Sequence, residues 1–307
     1  MSYIYHLVGE NLELAEAELK GFLRSQALEE DPDRFGSLAL TDSEPEQLKR
    51  LGLVHKVSEI IHRGSKLTTD YKPEGSYAVR AFDFSDNVDK RQFEQQLGEI
   101  LSDSSNSVDL EDPDEIIDLY VTEKEYIVSK RVIDIDRSLF KQRKNQERPF
   151  SSPVSLDPYL ARVLVNLSEA PAAGNIIDPF CGTGGILIEA GLCGIMPYGS
   201  DIQQGMVEGT AENLENYGVI NHDVRQSGIQ DISETFSESF DAIVTDLPYG
   251  KASKSEGSPV EEFLDIAEDL DPDKTVFMYN KPEINSIKAD YDVYVHKNLT
   301  RYIYIID

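Results

Sequence analysis

Cysteine is scarce in this chain, and its scarcity excludes two kinds of stabilising site. Of the 307 residues only Cys181 and Cys193 are cysteines, and no CxxC pair occurs. Neither a disulfide framework nor a cysteine zinc site is therefore expected. The five histidines also lack the spacing of metal ligands. We predict no metal site and reduced thiols, as in the cytoplasm.

Long apolar segments are missing as well. No apolar run approaches the ~18 residues of a membrane-spanning helix. The N-terminal residues 1–6 lack the basic segment and the apolar stretch of a signal peptide. We expect a soluble cytoplasmic protein that has no membrane partner.

Positive charge is the third shortage. The sequence has 29 Lys and Arg against 57 Asp and Glu, a net charge of -28. Such a charge repels nucleic acids and anionic membranes over about 10 Å at ordinary ionic strength. One segment differs, because residues 130–148 contain seven basic and three acidic side chains. This segment is either a solvated linker or a contact for an RNA backbone.

The apolar pattern before this segment predicts an α+β region. Strand-like runs alternate with stretches in which apolar residues recur at helical spacing. The predicted strands are 3–8, 58–62, 77–84, 116–121 and 126–135, and the predicted helices are 12–23, 44–51 and 90–101.

The pattern after it predicts an α/β domain with a mostly parallel sheet, because buried strands and helices alternate regularly. The predicted strands are 175–178, 197–201, 241–246 and 275–279, and the predicted helices are 156–169, 185–193, 203–217 and 259–270. Residues 291–306 predict an antiparallel hairpin at the edge of this sheet.

A glycine-rich turn follows the first strand of this α/β region. It reads Asp178-Pro-Phe-Cys-Gly-Thr-Gly-Gly185 and opens a helix, which lets a ligand approach the backbone closely. Asp201, 23 residues after Asp178, has the usual spacing of a carboxylate that binds ribose hydroxyls. The dinucleotide pattern GxGxxG fails because Leu187 stands at the third glycine, and no phosphate-loop motif occurs. The turn therefore predicts a nucleotide-type site that binds neither NAD nor ATP.

A second motif, Asp246-Leu-Pro-Tyr-Gly250, ends the strand at 241–246. Ligands bind beyond the carboxyl ends of strands in such sheets, so both motifs are expected at one crevice. The Asp246 carboxylate and a nearby carbonyl can accept both protons of an exocyclic amine, while Tyr249 stacks on a planar base. A simple turn is the alternative for this string taken alone.

Together the two motifs resemble motifs I and IV of class I, S-adenosylmethionine-dependent amino-methyltransferases. The segment from Arg148-Pro149-Phe150 to Asn166-Leu167 resembles the entry to the catalytic domain in the archaeal and eukaryotic tRNA guanosine-10 N2-methyltransferase family. The resemblance implies an α/β protein in four parts. These are a ferredoxin-like subdomain (1–54), an RNA-binding THUMP domain (55–140), a linker (141–152) and a Rossmann-like methyltransferase domain with a terminal antiparallel hairpin (153–307).

The resemblance also implies roles for individual residues. S-adenosylmethionine would be bound by Asp178, Pro179, Gly182, Thr183, Gly184, Asp201 and Ile202. Asp231 is the candidate for the adenine contact, because Gly228 occupies the position at which the family usually has an aspartate. The target guanine would be held by the catalytic residues Asp246, Leu247, Pro248 and Tyr249, although Leu247 replaces the commoner proline.

The implied reaction is methylation of the exocyclic N2 amine of a tRNA guanosine, most plausibly position 10. Methylation of another guanosine in tRNA or rRNA and a non-catalytic RNA-binding module are the alternatives. The implied partners are tRNA and a small zinc-binding activator protein. The RNA backbone would then contact Arg137, Lys141, Arg143, Lys144 and Arg148. Repulsion between tRNA and the acidic chain is screened in concentrated salt, so we also predict a halophilic protein.

Overall fold

The computed structural model describes residues 1–9, 11–85, 89–153, 155–248, 259–296 and 299–307. The chain forms two units. The first consists of residues 1–8, 30–48 and 54–135, and the second of residues 9–29, 49–53 and 136–307. The expected linker 141–152 lies within the second unit. The four-part division itself stays a prediction.

Helices and strands are numbered here in chain order. The helices are α1 Leu12–Arg24, α2 Lys90–Leu101, α3 Pro158–Leu167, α4 Gly185–Leu192, α5 Gln204–Asn216, α6 Ile232–Thr235 and α7 Pro259–Leu270. The strands of the first unit are β1 Tyr3–Leu7, β2 Asp33–Phe35, β3 Leu38–Thr41, β4 Val54–Gly64, β5 Gly75–Phe84, β6 Asn106–Val108, β7 Glu115–Thr122 and β8 Tyr126–Asp134. Those of the second unit are β9 Asn175–Asp178, β10 Met196–Asp201, β11 Asp223–Gln226, β12 Ala242–Asp246, β13 Lys274–Tyr279, β14 Glu283–Ile284, β15 Ile287–Lys288, β16 Tyr291–His296 and β17 Leu299–Ile306.

The first unit is built on one eight-stranded sheet in the order β2-β3-β1-β4-β8-β7-β5-β6. Helix α2 begins where the Asp89 side chain accepts hydrogen bonds from the backbone of the first turn. Its residues Leu97 and Leu101 are buried against the apolar face of β5 and β7. The α+β pattern predicted for this region is therefore observed.

One predicted helix in this region is wrong. Residues 44–51 form only a short 3-10 turn, Leu48–Arg50. Gln47, just before it, has a positive φ of 49°, a left-handed conformation that a right-handed helix does not contain.

The second unit contains a seven-stranded sheet in the order β11-β10-β9-β12-β13-β17-β16. Strands β11, β10, β9, β12 and β13 pair in parallel in that order, and β17 pairs antiparallel with both β13 and β16. The Rossmann-like sheet and its terminal hairpin are thus confirmed. The strand order reverses between β9 and β12, and ligands of doubly wound sheets bind at such a point.

Helix α1 belongs to the second unit, where a buried carboxylate holds it. Glu18 accepts hydrogen bonds from the backbone of Gly52 and Leu53 (2.7 and 2.6 Å) and from Asn166 Nδ2 of α3 (2.8 Å). Burial raises the pKa of Glu18, and these donors satisfy its oxygens.

No helix among the residues described above is both long and apolar enough to cross a bilayer.

Candidate active site at the carboxyl edge of the sheet

The turn between β9 and α4 is a glycine loop with an open side. Gly182 and Gly184 have φ values of +53° and +76°, which favour glycine. A Cβ at Gly182 would meet only the Phe180 carbonyl, at 3.9 Å, whereas one at Gly184 would lie 2.8 Å from Thr210 Cγ2. The loop is therefore packed against α5 at Gly184 and has room for a ligand beside Gly182.

Polar side chains of α5 hold the loop from below. Thr210 Oγ1 donates to the Gly182 carbonyl (2.7 Å), and Asn213 Nδ2 donates to the Thr183 carbonyl (2.9 Å). Asn213 also exchanges hydrogen bonds with the backbone of Phe150 (3.0 and 2.8 Å). Sequence reasoning missed both residues, because an amphipathic helix shows no local signal for such contacts.

Asp178 lies at the end of β9 and is 2% exposed. Its Oδ1 accepts hydrogen bonds from Thr245 Oγ1 (2.6 Å) and from the backbone of Phe180 (3.1 Å). Burial raises the pKa of Asp178 to about 7, and these two donors offset part of that effect. The bond from Thr245, the residue before Asp246, links the end of β9 to the strand that leads into the second motif.

Asp201 ends β10, the neighbouring strand, in a more polar setting. Its two carboxylate oxygens accept hydrogen bonds from the backbone of Gly182 (3.3 Å) and Gln203 (2.9 Å). The next side chain, Ile202, is 72% exposed. A carboxylate followed by an uncovered apolar side chain at this edge suits a ribose with an attached base.

Three other predicted cofactor residues differ in exposure. Pro179 is buried, and its carbonyl accepts a hydrogen bond from Ser200 Oγ (3.2 Å). Thr183 is also buried. Asp231 is exposed in the turn that follows β11, and its carboxylate lies beside Gly228. The residues at this edge fit an adenosyl cofactor that bears a charged amino-acid end.

The second motif follows β12, next to β9. Asp246 is partly exposed, Leu247 is buried with its amide bonded to the Met278 carbonyl (3.0 Å), and Pro248 is exposed. Tyr249 lies outside the described residues. The sheet therefore brings Asp246 and the glycine loop to the same edge, at the reversal of strand order.

Arg301 of β17 forms an ion pair with Asp246. This arginine was not predicted from the sequence, because the motifs mark only the ends of parallel strands. Strand β17 runs antiparallel to its neighbour β13, so its beginning reaches the carboxyl edge. A single basic residue near the start of the final strand is the only signal that the sequence carries.

Two of the predicted RNA contacts are held by internal partners. Arg143 forms a two-point ion pair with Glu189 of α4 (2.6 and 3.1 Å), which is 1% exposed at its side chain. Arg148 is 5% exposed, and its Nη1 donates to Thr183 Oγ1 and Ser155 Oγ, both at 3.1 Å. These guanidinium groups support the glycine loop and the helix that follows it.

The other three predicted RNA contacts line one depression of about 360 Å³. Lys141 is exposed, and Lys144 lies 3.4 Å from Asp157. The buried Nε of Arg137 has no hydrogen-bond partner among the residues that the structure describes. Phe140 and Tyr159 form apolar walls. We call this group of residues the basic depression.

Cys181, within the glycine loop, is 5% exposed. Burial raises the pKa of its thiol well above the ordinary value. A packed thiol of this kind is not a nucleophile at neutral pH.

Known proteins resemble both the catalytic region and the whole chain. The family model described as RMKL-like, methyltransferase domain, matches residues 145–269. The tRNA (guanine(10)-N2)-dimethyltransferase of Methanothermobacter thermautotrophicus is 35% identical, and the alignment covers 100% of this chain and 99% of the relative. The enzyme of the same name from Pyrococcus abyssi is 34% identical, with coverage of 100% and 99%.

A solved structure supports the fold over the whole chain. TrmN from Thermus thermophilus has a TM-score of 0.52 at 17% identity, and the match covers 99% of each chain. Because the similarity to the two archaeal relatives extends over essentially their full length, the chain belongs to the tRNA (guanine(10)-N2)-dimethyltransferase family.

Proposed function

We propose that this enzyme transfers a methyl group from S-adenosylmethionine to the exocyclic N2 amine of guanosine 10 in tRNA. The observation that carries the proposal is the hydrogen bond from Thr245 to Asp178 at 2.6 Å. It joins the end of the glycine loop's strand to the strand that ends in Asp246, so the two motifs lie at the same edge of the sheet. The names of the full-length relatives support the same substrate.

The cofactor would be held along the edge formed by β9, β10 and the turn after β11. The open side of Gly182, with Asp178, Pro179, Thr183 and Gly184 around it, would hold the methionine end. Asp201 would accept hydrogen bonds from the ribose hydroxyls, and Ile202 would cover one face of the adenine. Asp231 is exposed close to Gly228, and its carboxylate would accept a hydrogen bond from the adenine amine.

The target guanine would be held by the second motif. Its N2 lone pair is delocalised into the ring, so the amine is a weak nucleophile. If Asp246 and the carbonyl of Leu247 or Pro248 accept the two amine protons, the lone pair is freed to point at the methyl group. Tyr249 would stack on the base. Because the base must enter a pocket, it is flipped out or already unstacked.

When bound, S-adenosylmethionine would supply an electrophilic methyl group on a sulfonium sulfur, with the neutral thioether as leaving group. The N2 amine would lose one proton on methylation, and Asp246 would accept that proton. Most of the rate enhancement would come from positioning, which is worth about 7–11 kcal/mol in well-oriented reactions.

The basic depression would hold tRNA phosphates through Arg137, Lys141 and Lys144. Lys141 is exposed, and Arg137 and Lys144 are partly exposed. Arg143 and Arg148 are left out of this surface because carboxylate and hydroxyl groups inside the protein occupy them.

Four broader features are proposed with the activity. Residues 55–140 would form a THUMP domain. The enzyme would work in the cytoplasm, at high salt concentration, and with a small zinc-binding activator protein. The zinc-binding activator stays a prediction of the family resemblance. A pull-down with the purified enzyme would detect binding of a candidate activator, and a change in turnover on its addition would detect activation.

Substitution of Asp246 tests the proposed reaction. Asp246→Asn and Asp246→Ala should abolish labelled methyl transfer to a tRNA transcript, because the amine loses its charged acceptor. Both variants should bind S-adenosylhomocysteine with wild-type affinity in calorimetry. Asp265→Asn, which changes an exposed carboxylate on α7, is the matched control. Near wild-type turnover in either Asp246 variant would remove this residue from the mechanism.

A further inference from the structure

Arg301 lies where the final antiparallel strand meets the carboxyl edge of the parallel strands. Tyr302 is opposite Tyr279, the last residue of β13, and Met278 is opposite Asp246. Because β17 is antiparallel to β13, Arg301, the residue before Tyr302, lies just beyond the carboxyl end of β13. It is two strands away from Asp246 in the sheet. A long side chain can reach the carboxylate from there, across the end of the intervening strand.

The Arg301 side chain is almost fully enclosed. It is 6% exposed, its Nη2 contacts Asp246 Oδ1, and the Asp246 side chain is 21% exposed. Burial lowers the pKa of Arg301 to about 10, so the group remains a cation at neutral pH. A buried cation is costly unless an opposite charge accompanies it, and a pair with limited access to water is much less screened by salt than a surface pair.

The ion pair joins Arg301 Nη2 to Asp246 Oδ1. The second oxygen, Oδ2, belongs to the same planar carboxylate, so its direction follows from that of Oδ1. A planar guanidinium fixes the rotation of a carboxylate more strongly than an ammonium does. The pair can thus set the direction in which Oδ2 presents its lone pairs.

We propose that Arg301 is a positioning residue, which holds the Asp246 carboxylate so that Oδ2 accepts the N2 amine of the guanine. This inference rests on the proposed function. It adds a residue from β17, 55 positions after Asp246, to a site that the two motifs alone would place on β9, β10 and β12. Arg301 acts through Asp246 and not on the cofactor.

The test compares Arg301→Gln, Arg301→Lys and Arg225→Gln in the full chain. Arg225 belongs to β11 at the opposite edge of the same sheet and pairs with Asp223, so its variant controls for the loss of an arginine. Single-turnover methyl transfer to a tRNA transcript is measured with saturating enzyme. Calorimetry with S-adenosylhomocysteine, tRNA binding and thermal unfolding are measured on the same preparations.

The Gln variant should lose about 10- to 100-fold in the single-turnover rate constant, the size expected from a misplaced catalytic group. Its affinities for S-adenosylhomocysteine and tRNA should stay within about twofold of wild type. The Lys variant should recover part of the rate, because it restores the charge but not the planar fork. If the Gln variant does not fold, the Lys variant decides alone, with a reduced rate constant and unchanged affinities as the expected result.

A wild-type rate constant in a folded Arg301 variant, or equal losses of rate constant and S-adenosylhomocysteine affinity, would overturn the inference. Failure of the inference is distinguishable from failure of the proposed function. If Asp246→Asn is inactive while Arg301→Gln is fully active, only the role of Arg301 is lost. If Asp246→Asn is itself active, the proposed chemistry is lost.

Discussion

Two acidic residues of the glycine-loop region have different surroundings, although both end a parallel strand. Asp178 is enclosed, and burial raises its pKa to about 7. Asp201 is half-exposed and accepts two backbone hydrogen bonds. The first carboxyl therefore changes its charge near neutral pH, and this has a consequence for stability.

The stability of the second unit should depend on the protonation of Asp178. An unfolded aspartate has a pKa of about 3.9, so between that value and about 7 the folded protein retains a proton that the unfolded chain has released. The stabilisation that this proton provides is fully present below the pKa of Asp178 in the unfolded chain, and it is lost as the pH rises through about 7.

Urea unfolding at pH 6 and pH 8, at constant salt, measures this effect. Between pH 6 and pH 8 the free energy of unfolding of wild type should fall by about 1 kcal/mol more than that of Asp178→Asn, which has no carboxyl to titrate at this position. Asp265→Asn should behave as wild type. An identical pH dependence in wild type and Asp178→Asn would contradict the assignment.

Individual residues were predictable where a motif marks them. The two motifs marked Asp178, Gly182, Gly184 and Asp246, and the spacing from Asp178 marked Asp201; the structure brings all five to one edge of one sheet. Arg301, Thr210 and Asn213 were not, because their contacts depend on strand direction and helix packing and not on local sequence. Their roles in cofactor binding and catalysis are proposals.

At the scale of elements, regular periodicity predicted the helices and strands well. Helix α2 and strand β9 begin and end at the predicted residues, and the hairpin of β16 and β17 pairs as expected. The failures are short or irregular pieces. Strands β2, β3, β6 and β11 have three or four residues each, too few for a pattern to emerge.

The basic segment shows the same limit at this scale. Charge alone marked residues 130–148 as one group, yet folding separates internal ion pairs, such as that of Arg143, from the residues of the basic depression. Removing Arg137, Lys141 and Lys144 together, each by substitution with Ala, should therefore weaken tRNA binding without changing S-adenosylhomocysteine affinity.

Filter binding over a range of salt concentrations tests this prediction. The slope of log affinity against log salt should become shallower by about 2 to 3, since three phosphate contacts are lost. Arg225→Ala, outside the depression, should retain wild-type affinity within about twofold. An unchanged slope in the triple variant would return the segment to the linker interpretation.

At the scale of the whole molecule, we propose that the charge of -28 reflects a solvent of high salt concentration. Acidic residues occur throughout both units, so self-repulsion should be strong when it is not screened. Lowering KCl from about 1 M to about 0.1 M lengthens the Debye length from about 3 to about 10 Å. We expect this change to lower the thermal midpoint and to weaken tRNA binding. Equal midpoints and affinities at both concentrations would contradict a halophilic protein.

The central claim is methylation of N2 on guanosine 10 of tRNA, and analysis of the product tests it most directly. A tRNA transcript is incubated with wild-type enzyme and labelled S-adenosylmethionine, then digested to nucleosides. The account predicts label in N2-methylguanosine or N2,N2-dimethylguanosine, and loss of that label when guanosine 10 of the transcript is replaced by adenosine. Label in another nucleoside, or undiminished label after this replacement, would contradict it.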